Sequence, residues 1–221
     1  MFFGQALFGS DEKEYYMEIE LKYAIDSKDV AQRIWEDVEL MKMEEPGTRE
    51  TVFMKAIYFD TEDYDLARNQ MAYRVRVEGD KTIASLKWNG KIEGALHTRE
   101  EINIPVTNTD ANPNTFDESD IGEEMVRILN GKSVHNIIEM TITRRRFRID
   151  TQKSIFEISI DGGEINTAKG ATPICEVEVE MFSGEQDELL KLGQSLCDTY
   201  NITSEKRSKY YRGLKLMGQV E

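Results

Sequence analysis

The chain has 221 residues, 39% of them hydrophobic, enough for one large domain with a sizeable core. Its formal charge of −14 excludes a generally basic surface of the kind that holds DNA or an anionic membrane, so any bound anion must be gripped by a local basic cluster. No run of about 20 apolar residues is present for a membrane span, and two cysteines without Cys-x-x-Cys spacing, Cys175 and Cys197, suggest packed thiols in a reducing, cytoplasmic setting.

Residues 1–14 read as an N-terminal leader, because Phe2, Phe3, Leu7 and Phe8 are too interrupted for a signal sequence, and a single domain is expected over 15–221. In the first strand, Glu18, Glu20 and Lys22 share one face while Met17, Ile19, Leu21 and Tyr23 share the other. Asp26 and Ser27 offer a cap for a helix over 28–41, with Ala31, Ile34, Trp35, Val38 and Met41 as its apolar stripe. A strand over 51–60 follows the Pro46-Gly47 loop, and Asp60-Thr61 caps a short turn over 62–68.

The strand over 71–78 places Arg74, Arg76 and Glu78 on one face, and that over 82–88 places Ser85 and Lys87 opposite Ala84, Leu86 and Trp88. Asn89-Gly90 has hairpin chemistry and is expected to end the strand. Residues 97–105 then carry Arg99, Glu101 and Asn103 on one face. After a linker over 107–117, Asp120 with Glu123 resembles a capping box and Asn130-Gly131 supplies a stop, marking a second helix.

The second half repeats the pattern. Arg144, Arg146 and Arg148 share a face of the strand over 141–150, Glu157, Ser159 and Asp161 a face of 154–161, and Glu176, Glu178 and Glu180 a face of 175–181. Ser183 and Gln186 suggest another capping box, before a helix whose stripe is Leu189, Leu190, Leu192, Leu196 and Tyr200. A last strand is expected over 206–216, carrying Lys206 or Lys209.

On one strand a charged face reads as solvent. Here Arg74/Arg76, Arg144/Arg146 and Glu176/Glu178/Glu180 are segregated by sign and by strand. Antiparallel strands that are apolar outside and charged inside can close into a barrel covered by helices, an α+β fold with a wet, charged tunnel. Converging Arg and Lys side chains suit a chain of phosphates, and the separate carboxylates suit a hard cation such as Mg²⁺ or Mn²⁺. His97 and His135 belong to no ligand pair and read as structural.

Glu18-Ile19-Glu20-Leu21-Lys22 matches the Glu-x-Glu-x-Lys signature of the CYTH, or triphosphate tunnel metalloenzyme, superfamily. Tyr58-Phe59-Asp60-Thr61, Tyr73-Arg74-Val75-Arg76, Ser85-Leu86-Lys87, Arg99-Glu100-Glu101, Asp161-Gly162-Gly163, Glu176-Val177-Glu178-Val179-Glu180 and Ser208-Lys209 resemble further family motifs in order. The resemblance spans roughly 15–216 and implies an eight-stranded antiparallel tunnel that binds a triphosphate with a divalent metal.

By matching position, it implies metal ligation by Glu18, Glu20, Glu176, Glu178, Glu180 and Asp161, with Glu101 and Asp161 alternatively orienting basic residues. Lys22, Arg74, Arg76, Lys87, Arg99, Arg144, Arg146 and Lys209 would hold phosphates, and Glu18, Glu20 and Lys22 would serve the chemistry. The expected reaction is hydrolysis of a terminal phosphoanhydride, with inorganic tripolyphosphate preferred because the motifs describe a site for phosphates alone. A class IV adenylate cyclase, a thiamine or nucleoside triphosphatase and a non-catalytic polyphosphate- or nucleotide-binding module remain alternatives. The expected partner is a small triphosphate, and a homodimer is compatible with the apolar helix stripes.

Overall fold

The computed structural model describes residues 14–221. The leader expected over 1–14 lies outside the described residues except for Glu14, which opens the first strand. Eight long strands form the body: β1 (Glu14–Ala24), β2 (Glu50–Asp60), β3 (Ala72–Glu78), β4 (Lys81–Glu93), β5 (Leu96–Pro105), β6 (His135–Asp150), β7 (Ile155–Thr167) and β8 (Gly170–Ser183). Their hydrogen-bonded order is β5-β4-β3-β2-β6-β7-β8-β1, all antiparallel. β1 also pairs with β5, from Tyr15 opposite Ile102 to Leu21 opposite Leu96, so the sheet closes into the expected barrel and loses its edges. A two-residue strand, β9 (Thr203–Ser204), adds to the end of β1.

The period of two in each strand separates an apolar outer face from a largely charged inner one. On one flank, Leu21, Tyr23, Phe147, Phe156, Ile158, Val177 and Val179 pack under α1 (Lys28–Trp35), α2 (Val38–Lys42) and α5 (Gln186–Tyr200). On the other, Phe59, Tyr73, Val75, Leu86 and Ile102 pack with Phe116, Met125 and Leu129, which places α4 (Asp120–Leu129) over β2–β5. Asp60 ends β2 and accepts from the amides of Leu66 and Ala67, capping the short α3 (Asp65–Arg68) as its sequence suggested. No helix among the described residues is long and apolar enough to cross a membrane.

Several local expectations are corrected. The helix over 28–41 is two helices, because Asp37 caps a new start through the amides of Glu39 and Leu40. The break rotates the stripe, leaving Val38 and Met41 exposed while Ala31, Ile34 and Leu40 are buried. Ser119, not Asp120, caps α4 through the amide of Gly122. The N-cap of α5 is Glu185 without a side-chain bond, so Ser183 and Gln186 form no capping box, and Leu190 faces solvent. Asn89-Gly90 does not end β4: Asn89 takes a left-handed conformation at a bulge between Trp88 and Lys91, and the hairpin turns after Glu93, where Gly94 supplies φ +64°.

The largest correction is the C-terminal segment. The strand expected over 206–216 is a helix, α6 (Lys209–Leu216), capped by Ser208, whose hydroxyl accepts from the amide of Tyr211. Unlike α1, α2, α4 and α5 it packs against the inner face. Leu214 and Met217 join the inward-facing Met54, Ala56, Tyr58, Ile138, Met140, Ile142, Ile165 and Ile174 in an apolar plug at one end of the barrel. The approach is close at Gly213, where an added Cβ would lie 2.6 Å from Cδ1 of Ile138. Gly213→Ala is therefore expected to destabilise the protein by about 1–3 kcal/mol through overpacking. Chemical denaturation of Gly213→Ala, and of Gly213→Ala with Ile138→Val, checks this: the second change should recover part of the loss.

Candidate active site

The barrel encloses a cavity of about 540 Å³, whose wall is divided by strand. β1 contributes Glu18, Glu20 and Lys22; β3, β4 and β5 contribute Arg74, Arg76, Lys87, Arg99 and Glu101; β6 contributes Arg144, Arg146 and Arg148; β8 contributes Glu178 and Glu180. Lys209 and Tyr210 enter from α6. Residues proposed from separate strands thus converge on one space. Asp161 and Glu176 belong to the same network but are buried behind Arg144 and Lys209.

The charges are linked into a nearly continuous circuit. Glu101 pairs with Lys87 and, at 3.3 Å, with Arg74. Lys87 lies 3.3 Å from both oxygens of Glu18, which also meets Arg99. Arg99 reaches Glu20 at 3.2 Å; Lys22 lies 2.8 Å from Glu20 and bonds Glu178. Glu178 accepts from Arg144 at 2.7 Å and Lys209 at 2.9 Å, and both bases also hold Asp161, Arg144 through two bonds of 2.7 Å. Glu176 completes the circuit with Lys209 and Arg212.

Burial opposes ionisation at Glu18, but Arg99 and Lys87 outweigh it and hold the carboxyl well below the usual carboxylate range. Glu178 behaves similarly, with Lys209, Lys22 and Arg144 overcoming burial, and Asp161 is lowered by Arg144 and Lys209 against the same penalty. Lys22 stays cationic because Glu178 and Glu20 offset its burial. Elsewhere the balance fails. Burial raises Glu20, Lys22 compensates in part, and Glu18 and Glu178 add repulsion. Glu180, opposite Glu20 across β1 and β8, is pushed well up by burial and by Glu18, Glu157 and Glu20. Negative charge is in excess here. Arg76 is lowered by burial and by its neighbours Arg74 and Arg144, and Glu78 at 3.1 Å offsets them only in part.

Asp161, Glu176 and Glu178 form a second acidic group, with ligand oxygens all within 4.8 Å of one another. Its cationic neighbours are Lys209, Arg144, Arg212 and Lys22, whereas Glu18 and Glu20 meet Lys87, Arg99 and Lys22.

Arg146 and Arg148 lie toward the other end of β6, where Arg146 pairs with Glu50 and Glu78 and Arg148 with Glu45 at 2.9 Å. These pairs, with Glu157 and Phe182, frame the end of the barrel away from α6. Sequence reasoning missed Arg212, Tyr58 and Tyr210 as members of the site. Arg212 and Tyr210 were hidden by reading α6 as a strand, and Tyr58 because the apolar strand over 51–60 shows no charged face; its ring stacks on that of Tyr210 with centroids 4.9 Å apart. Tyr16, on the same face of β1 as Glu18, also lines the cavity.

An antiparallel eight-stranded barrel with this segregated interior defines a tunnel-type protein. The sequence matches the CYTH domain over residues 16–213, and the chain belongs to that family. The inorganic triphosphatase of Haemophilus influenzae is 28% identical over 167 residues, which is 76% of this chain and 47% of that relative. The chain therefore spans about half the length of this curated relative. Among solved structures, the fold is similar to that of HpAC1 from Hippeastrum, whose description reports a dominant triphosphatase activity (TM-score 0.65, 18% identity, 92% of this chain and 97% of the other). It is also similar to the RNA triphosphatase domain of the mimivirus mRNA capping enzyme (TM-score 0.54, 14% identity, 84% and 89%).

His97 occupies the inner face of β5 near α6 and donates from Nε2 to the carbonyl of Glu205 at 2.9 Å. The amide of Glu205 bonds the carbonyl of Lys22, so the ring helps tie the segment leading into α6 to the barrel. Burial, aided by Lys22 and Arg99, lowers the imidazole pKa to about 4. The unfolded chain, with an ordinary histidine pKa of about 6.5, binds more protons between these values, so this residue's stabilisation is complete above pH 6.5 and lost as pH falls toward 4. Denaturation at a series of pH values should show a shallower loss of stability for His97→Gln, whose amide can still donate to Glu205, than for the parent protein.

Proposed function

We propose that this protein hydrolyses the terminal phosphoanhydride of a triphosphate, inorganic tripolyphosphate foremost, with Mg²⁺ or Mn²⁺. The observation that carries this reading is one cavity in which a cluster of guanidinium groups, Arg74, Arg76 and Arg144, stands apart from Glu20 and Glu180, whose carboxyls burial and neighbouring carboxylates raise. A phosphate chain complements the first, and a divalent cation the second. The repulsion that raises Glu20 and Glu180 fits an oxygen-ligated cation at Glu18, Glu20 and Glu180. The Asp161/Glu176/Glu178 group offers further oxygen ligands, with Lys209 now in its midst. Such a cation would supply Lewis acidity and offset charge on phosphate oxygens.

The remaining chemistry belongs to the side chains. Phosphoryl transfer requires alignment and charge compensation more than covalent help. Arg74, Arg76, Arg99 and Arg144 would orient the chain through guanidinium forks, while Lys22, Lys87 and Lys209 would place point charges along it. Glu20, made a stronger base by burial, would orient the attacking water and accept its proton. Lys22 would act as a charged donor, since Glu178 and Glu20 keep it protonated.

One feature favours a second reading. Met54, Ala56, Met140 and Ile142 give part of the wall an apolar character, joined by the Tyr58–Tyr210 stack. An organic ring bearing a triphosphate, including a nucleotide undergoing cyclisation, would find contact there.

Phosphate release from tripolyphosphate, ATP and thiamine triphosphate, with Mg²⁺ or Mn²⁺ and products separated by chromatography, distinguishes these readings. Orthophosphate from tripolyphosphate in preference to the others is expected. Glu20→Gln should lower kcat by about 10²–10⁴-fold, the usual contribution of a positioned general base, and chelation should abolish turnover. Cyclic AMP and pyrophosphate from ATP would replace the hydrolase with a cyclase, and binding without turnover of any substrate would leave a binding module.

A further inference from the structure

Arg74 is connected to three uncharged side chains that the phosphate-and-cation scheme leaves unused. Its Nη2 donates to Oγ of Ser85 at 3.0 Å, the Ser85 hydroxyl bonds Oδ1 of Asn103, and Nδ2 of Asn103 donates to the phenol oxygen of Tyr16 at 2.9 Å. The four residues face inward from β3, β4, β5 and β1, so the file crosses four neighbouring strands.

A guanidinium only donates, so the Ser85 hydroxyl accepts from Arg74, and its single proton goes to Oδ1 of Asn103. The atom receiving that proton must be the amide oxygen, which turns the amide nitrogen toward Tyr16. The Tyr16 oxygen therefore accepts, and its own proton points elsewhere. Ser85 is fully buried, which shields the file's centre from competing water. Tyr16 itself lines the cavity, two residues before Glu18 on the same strand face.

The geometry points to Tyr16 as a substrate-contacting residue whose phenol O–H donates to a phosphate oxygen on the mouth side of Glu18. This rests on the triphosphate reading above. A neutral donor is suited to that place: Lys87 and Arg99, close by, share their charge with Glu18, Glu101 and Glu20, and a phenol held by Asn103 adds a proton donor without adding charge. Arg74 thereby acts twice, as a phosphate ligand and as the donor that anchors the file at Ser85.

The test is calorimetric binding of imidotriphosphate, a slowly hydrolysed analogue, to the full chain in Mg²⁺, alongside melting of the ligand-free protein. Tyr16→Phe keeps the ring and removes the proton; its Kd should rise by about tenfold or more, the effect of one hydrogen bond to a charged group, with little change in ligand-free melting. Asn103→Asp supplies a carboxylate that accepts from both Ser85 and Tyr16, drawing the phenol proton out of the cavity. In that background Tyr16→Phe should cost no further affinity. If the parent binds the analogue and Tyr16→Phe binds it equally well, this inference fails while the triphosphate reading stands. An equal loss from Tyr16→Phe in both backgrounds also overturns it, since the hydroxyl would then act independently of Asn103. Absence of binding by the parent would overturn both.

Discussion

An ionised side chain taken out of water costs several kcal/mol unless an opposite charge stands against it, and the inner face of this barrel carries such side chains on almost every strand. The cost is met by contact between signs: Glu101, Lys87, Glu18, Arg99, Glu20, Lys22, Glu178, Arg144 and Asp161 follow one another, each touching the next. Because the links run across strands, the circuit also constrains register, since a slip by one residue would send every inward charge to the apolar outer face. Folding free energy comes from elsewhere. It comes from the two outer cores and the apolar plug, where Leu21, Phe147, Phe156, Leu86, Ile102 and Ile138 are almost wholly buried.

The circuit is not uniformly neutral, and its imbalances are where chemistry can occur. At Glu18 and Glu178, neighbouring cations overcome the burial penalty, and these carboxylates have what they need from the protein. At Glu20 and Glu180 they do not, and at Arg76 the surplus has the opposite sign. Placing both surpluses around one cavity creates demand for an anion and a cation together. A phosphate chain carrying a divalent cation answers that demand with a single ligand.

The C-terminal helix makes the barrel asymmetric. Leu214 and Met217 occupy the inner face at one end, while Lys209 and Arg212, from the same helix, hold the deepest acidic group. The opposite end is framed by Arg146, Arg148, Glu50 and Glu78. Ligands approaching from that side meet Tyr16, Arg76 and Arg146 before the more deeply buried Lys22 and Glu178.

Alternation in the sequence was sufficient to place Glu18, Glu20, Lys22, Arg74, Arg76, Lys87, Arg99, Arg144 and Glu178 on inward strand faces, because a period of two leaves a side chain only two directions. Their segregation by sign made a closed barrel legible, and the ordered motifs made the family so. Local signals failed where competing short-range options were nearly equal. Asp37 restarts a helix, Asn89 sits in a bulge and not a turn, and Ser208 starts a helix where a strand was read. Which cation meets which carboxylate, why Glu20 and Glu180 rise while Glu18 falls, and which hydrogen bonds link Arg74, Ser85, Asn103 and Tyr16 were settled only by the closed barrel. Those properties depend on distances between residues far apart in the chain, on strands that become neighbours only when β1 meets β5, and one sequence window contains neither partner's position.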